Sequence, residues 1–152
     1  MNIIKYMSYL SPFGTITAFS EEEAIIALEW GQIENPQPTG LLNDLGKQLE
    51  LYFEGKLEKF DVNIQPEGTA YQKSVWQQML AIPYGQTRTY GEISKKLTSS
   101  PRAVGTACGK NPIPIIIPCH RIISANGSMG GYSAGSGVST KINLLNLEGF
   151  VI

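Results

Sequence analysis

A chain of 152 residues, 42% apolar and 16% charged, is long enough to bury a real core and argues against both disorder and a membrane span. Two cysteines make no disulfide framework, and the start, Met1-Asn2-Ile3-Ile4-Lys5, lacks the basic region and apolar core of a secretory signal, so a cytoplasmic protein with no membrane contact is expected. The net charge of −1 hides a split: residues 1–68 set four lysines against eleven acids (−7), and residues 69–152 set eight bases against two acids (+6). Such asymmetry is the footprint of one half that meets a polyanion, or of two halves that attract each other.

Ile3–Leu10 reads as a strand, and after the turn signal Ser11-Pro12-Phe13-Gly14 the run Thr15–Phe19 reads as a second, giving a hairpin. Ser20-Glu21-Glu22-Glu23 has the form of a capping box and predicts a helix through about Trp30. The two prolines of Gln32–Gly40 mark a loop, Leu41–Gly55 has partly helical apolar spacing, and Phe60–Gly68 looks extended. Pro66-Glu67-Gly68 marks the boundary between a first part, 1–68, and a second, 69–152.

In the second part Thr69-Ala70-Tyr71-Gln72 is another capping box, followed by Val75, Trp76, Met79 and Leu80 at helical spacing. Thr89-Tyr90-Gly91-Glu92 opens a short helix through about Leu97, and Ser100 caps a further one whose first residue is Pro101. That helix, Pro101 to about Gly109, is built largely from small residues, so its backbone can approach a partner closely. The pair reads as a helix-turn-helix, or equally as tight packing inside a core. A last helix spans about Val138–Glu148.

The chemistry concentrates at Pro118-Cys119-His120-Arg121, where the only His of the chain adjoins one of two Cys. A thiol is a weak nucleophile until it loses its proton, and an imidazole can take that proton. The flanking isoleucines, Ile115–Ile117 and Ile122–Ile123, suggest a buried strand-like carrier, in which neighbouring side chains would point to opposite faces. Gly131-Tyr132-Ser133-Ala134-Gly135 matches the nucleophile elbow of α/β-hydrolases, but the His lies before the Ser. Gly130–Gly135 has phosphate-loop spacing, but Ser136 stands where Lys is required. A Cys–His hydrolase using Cys119, His120 and Glu148 is a better rival, though it leaves the basic half unexplained.

Taken together, Arg102-Ala-Val-Gly, Asn111-Pro-Ile-Pro, Ile117-Pro-Cys-His-Arg, Gly131-Tyr-Ser and Lys141-x-x-Leu-Leu-x-x-Glu148-Gly149 resemble the O6-alkylguanine-DNA alkyltransferases over about Thr69–Phe150. The resemblance implies an α+β fold: a small N-terminal α/β domain with an antiparallel, ribonuclease H-like sheet, then a mostly helical, winged helix-turn-helix-like domain. It implies a DNA-repair protein, a monomer, that moves the alkyl group of O6-alkylguanine, and also of O4-alkylthymine, from duplex DNA to its own Cys119. In that scheme His120 takes the thiol proton through a bridging water, Glu148 steadies the imidazolium, and Tyr90 and Lys141 assist the departing base. Arg102 fills the gap left by the extruded nucleotide, with Ala103, Gly105 and Ala107 giving close approach to the minor groove. Ile122, Gly130, Tyr132 and Ser133 form the base pocket, where the Cys119 and Ile122 carbonyls accept from the exocyclic amine and the Ser133 amide meets O6. Asn111 is the hinge between recognition helix and active-site loop. No metal and no cofactor are expected, because the zinc ligands of some relatives have no counterpart before Cys108. Cys108 reads as a small buried residue, Arg121 as structural or phosphate-facing, and the loop after Tyr132 as about two residues longer than usual in the family. A lesion-sensing relative that binds without transfer, or a winged-helix regulator, is the non-enzymatic rival; in such sensors the acceptor Cys is replaced, whereas Cys119 is retained here.

Overall fold

The computed structural model describes residues 3–150, so Met1 and Asn2 of the segment read for a targeting signal lie outside the described residues. Three antiparallel strands, β1 (Ile4–Tyr9), β2 (Ile16–Glu21) and β3 (Ala24–Trp30), form a sheet in the order β1-β2-β3. The hairpin read from the Ser11–Gly14 turn is present, with Tyr9 opposite Ile16. The helix expected from Ser20 to Trp30 is absent, and β3 takes its place. Glu22 adopts the left-handed conformation and turns the chain, so that Glu21 faces Ala24 and Ser20 faces Ile25. A capping box is a cue spanning four residues. Here pairing on both edges of β3 overrides it: β2 lies on one side, and on the other Ile25 exchanges backbone hydrogen bonds with Asn63 and Gln65 while the Leu28 amide donates to Pro112. The Asn63 and Gln65 contacts account for the extended segment before Gly68.

Helix α1 (Gly40–Phe53) is capped by the Thr39 hydroxyl and buries Leu42, Leu45, Leu49 and Tyr52. These residues, three or four apart, form one face, and it packs over the sheet core of Ile16, Ala18, Ile25 and Leu28. Helices α2 (Ala70–Leu80) and α3 (Tyr90–Leu97) both start with complete capping boxes, from Thr69 with Gln72 and from Thr89 with Glu92. Helix α4 (Pro101–Gly109) starts at the Ser100 cap, with proline in its first turn. Between α3 and α4, Thr98 takes a left-handed conformation and turns the chain tightly. The two helices pack against each other and on α2.

Two short strands, β4 (Arg88–Thr89) and β5 (Ile122–Ile123), pair in parallel. This pairing positions the site, because β4 leads directly into Tyr90 and β5 directly follows Cys119–Arg121. Helix α5 (Val138–Leu147) closes the fold, and Glu148 caps its end. Most of the buried apolar residues form one cluster that runs from Ile16 through Tyr52 and Trp76 to Leu144, across the boundary near Gly68.

Candidate alkyl-acceptor site

Cys119–Arg121 is a single turn of 3-10 helix rather than a strand. Ile115 is left-handed, and the Ile117 amide reaches back to the Ile113 carbonyl, so the isoleucine run coils into the core instead of extending. Asn111 ties that coil shut: its Oδ1 accepts from the Ile113 amide and its Nδ2 donates to the Ile117 carbonyl, each at 2.9 Å. In a tight turn, adjacent side chains no longer alternate between two faces. Cys119 borders a cavity, while His120 and Arg121 both reach inward to Glu148.

The carboxylate of Glu148 gathers four hydrogen bonds. Oε2 accepts from His120 Nε2 at 2.7 Å, from Arg121 Nη2 at 3.0 Å and from the Tyr52 hydroxyl at 2.5 Å, and Oε1 accepts from Arg121 Nε at 2.8 Å. Burial alone would raise its pKa, but the hydrogen bonds from His120 and Arg121, with the Arg121 charge, hold it at about 2. His120 is fully buried; desolvation lowers its pKa, Glu148 opposes that, and the Arg121 and Lys141 cations add to it. The ring is therefore neutral at rest. With Nε2 donating to Glu148, Nδ1 is a bare acceptor, and it has no protein partner among the described residues. Burial also raises the Cys119 pKa, against the lowering influence of Asn111, Lys141 and Tyr132. The resting pair is thus a thiol and a neutral imidazole.

Lys141 is wholly buried, and its ammonium donates to the Ile122 carbonyl at 2.5 Å and the Gly131 carbonyl at 3.3 Å, 5.8 Å from the centre of the Tyr90 ring. It joins α5 to β5 and to the loop of Gly130, Gly131, Tyr132 and Ser133. Of the two carbonyls expected to receive an exocyclic amine, that of Ile122 already has this cation and that of Cys119 the Ile122 amide. Gly130 sits against Tyr90: it is left-handed, and a Cβ there would lie 2.7 Å from the Tyr90 hydroxyl. Burial pushes that hydroxyl up to about 12, so it is a donor at neutral pH. The Tyr132 hydroxyl is buried beside Cys119 without a hydrogen bond of good geometry, and Ser133 is exposed with Oγ 3.4 Å from the Gly109 carbonyl.

A cavity of about 810 Å³ is lined by Cys119, by Tyr90 and Gly130–Ser133, and by Arg102, Gly105, Thr106 and Cys108 of α4. The volume suits a small-molecule or base-sized guest. Arg102 and Thr106, one turn apart, are exposed, and Ala103 and Gly105 are partly so. Ala107 departs from the sequence expectation. It is 2% exposed and its carbonyl accepts from Trp76 Nε1 at 3.0 Å, so it faces the core and not a groove. Cys108, read as a plain buried residue, is half-buried in the cavity wall, where burial pushes its thiol up to about 12. Arg121 is structural: besides Glu148 it donates to the Ile82 carbonyl at 2.8 Å, which leaves no guanidinium face for a phosphate. Tyr52 also belongs to this site. It lies 96 residues from Glu148 and no motif marks it. Among the described residues no cluster of three or more His, Cys, Asp or Glu side chains could hold a metal, and no helix is long and apolar enough to cross a membrane.

The class these elements define is an α+β protein with a helix-turn-helix beside a buried cysteine whose neighbouring histidine is held by a buried carboxylate. Residues 70–150 match the model of the 6-O-methylguanine DNA methyltransferase DNA-binding domain, and residues 4–66 that of the ribonuclease-like domain of the same proteins. A methylated-DNA–protein-cysteine methyltransferase of Methanosarcina acetivorans is 44% identical, over 95% of this chain and 97% of its own length. The crystal structure of the Mycobacterium tuberculosis O6-methylguanine methyltransferase superposes with a TM-score of 0.85 at 39% identity, covering 96% of this chain and 93% of that one. A structure of Mycobacterium tuberculosis OGT in complex with DNA also gives a TM-score of 0.85, at 41% identity, covering 94% and 91% of the two chains. The chain belongs to the 6-O-methylguanine DNA methyltransferase family.

Proposed function

We propose that this protein repairs duplex DNA by moving the alkyl group of O6-alkylguanine, and of O4-alkylthymine, irreversibly onto Cys119. The observation that supports this most directly is the cavity itself: Cys119 lies on its wall, next in sequence to an imidazole that a buried carboxylate holds from behind. Sγ attacks the alkyl carbon, an S–C bond forms, the C–O6 bond breaks, and its electron pair stays on the base. The thiol proton passes through one water to His120 Nδ1, and Glu148 stabilises the imidazolium. Tyr90 donates to the departing base, the Ser133 amide meets O6, and Lys141 supplies positive charge behind the pocket. A thioether has no good leaving group, so each molecule reacts once.

Residues 69–152 form the DNA-binding and acceptor part and residues 1–68 its scaffold. DNA is bound through the minor groove by α4, with Arg102 in the stack of the extruded base. Ala103 and Gly105 permit the approach, and Asn111 is the hinge behind the helix. The protein works as a cytoplasmic monomer without cofactor or metal.

Duplex DNA containing O6-methylguanine should give one methyl increment on the Cys119 peptide by mass spectrometry. No increment there, or turnover beyond one equivalent, sinks the proposal. Cys119→Ala should bind the same DNA without repairing it, and binding should weaken as salt rises.

A further inference from the structure

The hydroxyl of Tyr52 is the one donor to Glu148 that comes from the first part of the chain. We infer that Tyr52 is a positioning residue of the acceptor site: by donating to Glu148 Oε2 it sets how tightly that carboxylate holds His120, and so how readily His120 takes the Cys119 proton. The inference rests on the function proposed above.

Three donors converge on Oε2, which has two lone pairs, so they compete. Arg121 already neutralises the carboxylate and bonds both of its oxygens. Glu148 therefore has no need of a further donor for charge or for hydrogen-bond satisfaction. What the Tyr52 bond changes is the density left on the oxygen that His120 shares. Each donor there weakens the acceptor for the others, so Tyr52 keeps Glu148 from fixing His120 as an imidazolium before the reaction. An imidazolium at rest could not accept the thiol proton.

The ring of Tyr52 is held so that the hydroxyl cannot swing away. Phe53 and Tyr84 meet it edge-on, at 5.3 and 6.4 Å between centroids, and Phe60 is tilted against it at 5.2 Å. The other charged or titratable groups facing this cluster are Arg121 and His120 from the 3-10 turn and Lys141 from α5. Tyr84 follows α2 with Glu58 beyond it, and Cys119 and Tyr132 lie on the cavity side. Replacing Tyr52 by Phe leaves all of them, and the ring packing, in place.

The single histidine allows a direct test. The imidazole of His120 is titrated by NMR, and the single-turnover rate of methyl transfer is measured against pH, in the wild type and in Tyr52→Phe. Loss of the donor should move both the His120 midpoint and the acid limb of the rate profile upward, by about half a pH unit, the size expected for one modest hydrogen bond. Incorporating 3-fluorotyrosine at position 52, a more acidic donor, should move both the opposite way. Tyr9→Phe is the control, since Tyr9 also donates from a partly buried hydroxyl to α1, at the Leu42 carbonyl, 2.6 Å away. It should lower the unfolding midpoint and leave the titration alone. Unmoved midpoint and limb in Tyr52→Phe, or an equal movement in Tyr9→Phe, overturns the inference. If the wild type transfers no alkyl group, the proposed function falls, while the NMR titration still decides the role of Tyr52.

Discussion

Glu148 holds together groups that the chain places far apart, so its substitution separates charge from shape. Glu148→Gln keeps the volume but leaves Arg121 buried without a counter-ion, and removing one partner of a buried pair costs about 3–5 kcal/mol. The urea midpoint should fall accordingly. The transfer rate should drop by about 100-fold or more, since in the proposed mechanism His120 loses its partner in the general-base step. A rate within a few-fold of wild type would remove Glu148 from the relay. At Gly130, the left-handed backbone and the nearby Tyr90 hydroxyl both oppose a side chain. Gly130→Ala should destabilise by about 1–2 kcal/mol and slow transfer by displacing Tyr90, whereas unchanged stability would show that the loop yields freely.

Among the elements, α4 has two faces with different surroundings. Arg102 and Thr106 look outward, Val104 and Ala107 look into the core, and Trp76 bonds the Ala107 carbonyl. Arg102→Ala should weaken binding to lesion-bearing DNA and leave the thermal midpoint within a degree or so, as an exposed substitution does. Ala107→Leu should do the reverse, destabilising by about 1–3 kcal/mol through overpacking. Equal effects of both on DNA binding would contradict the two-faced reading. The position of this helix was legible in the sequence because Ser100 and Pro101 mark its start within two residues. Its inner face was not, because a run of small residues has no apolar stripe. The same contrast separates the helix starts at Thr69 and Thr89, where capping groups lie three residues apart, from Ser20. There an identical local cue lost to strand pairing that involves Asn63, Gln65 and Pro112.

Across the whole molecule, the core runs without a break from the sheet to α5. The two parts should then unfold together. Trp30 lies in β3 and Trp76 in α2, so Trp30→Phe and Trp76→Phe each leave one fluorescent reporter, one per part. In each variant the fluorescence and circular dichroism transitions in urea should coincide. Two separated transitions would show independent parts. Stability should also fall on acidification. The folded pKa of His120 lies below its ordinary 6.5, and that of Glu148 is about 2 against an ordinary 4.5. In both cases the unfolded chain takes up a proton that the folded site refuses, so the stabilisation is lost as pH falls. The decline should begin below pH 6.5, continue from 4.5 towards 2, and lose its lower part in Glu148→Gln. Stability that is flat between pH 7 and 4 would contradict the neutral, buried His120.

The sequence by itself determined what depends on neighbours within a few residues: the Ser11–Gly14 turn, most helix starts, the thiol beside the only imidazole, and the motif spacing that marks the family. Tertiary structure alone decided the β3 strand, the burial of Arg121 and Lys141, the inward face of Ala107, and the reach of Tyr52 to Glu148. The physical reason is range. A capping hydrogen bond closes within one turn of chain, so the residues that make it are read together. The charge state of a buried site is set by whichever donors the fold brings to one oxygen, and here one of them comes from 96 residues away.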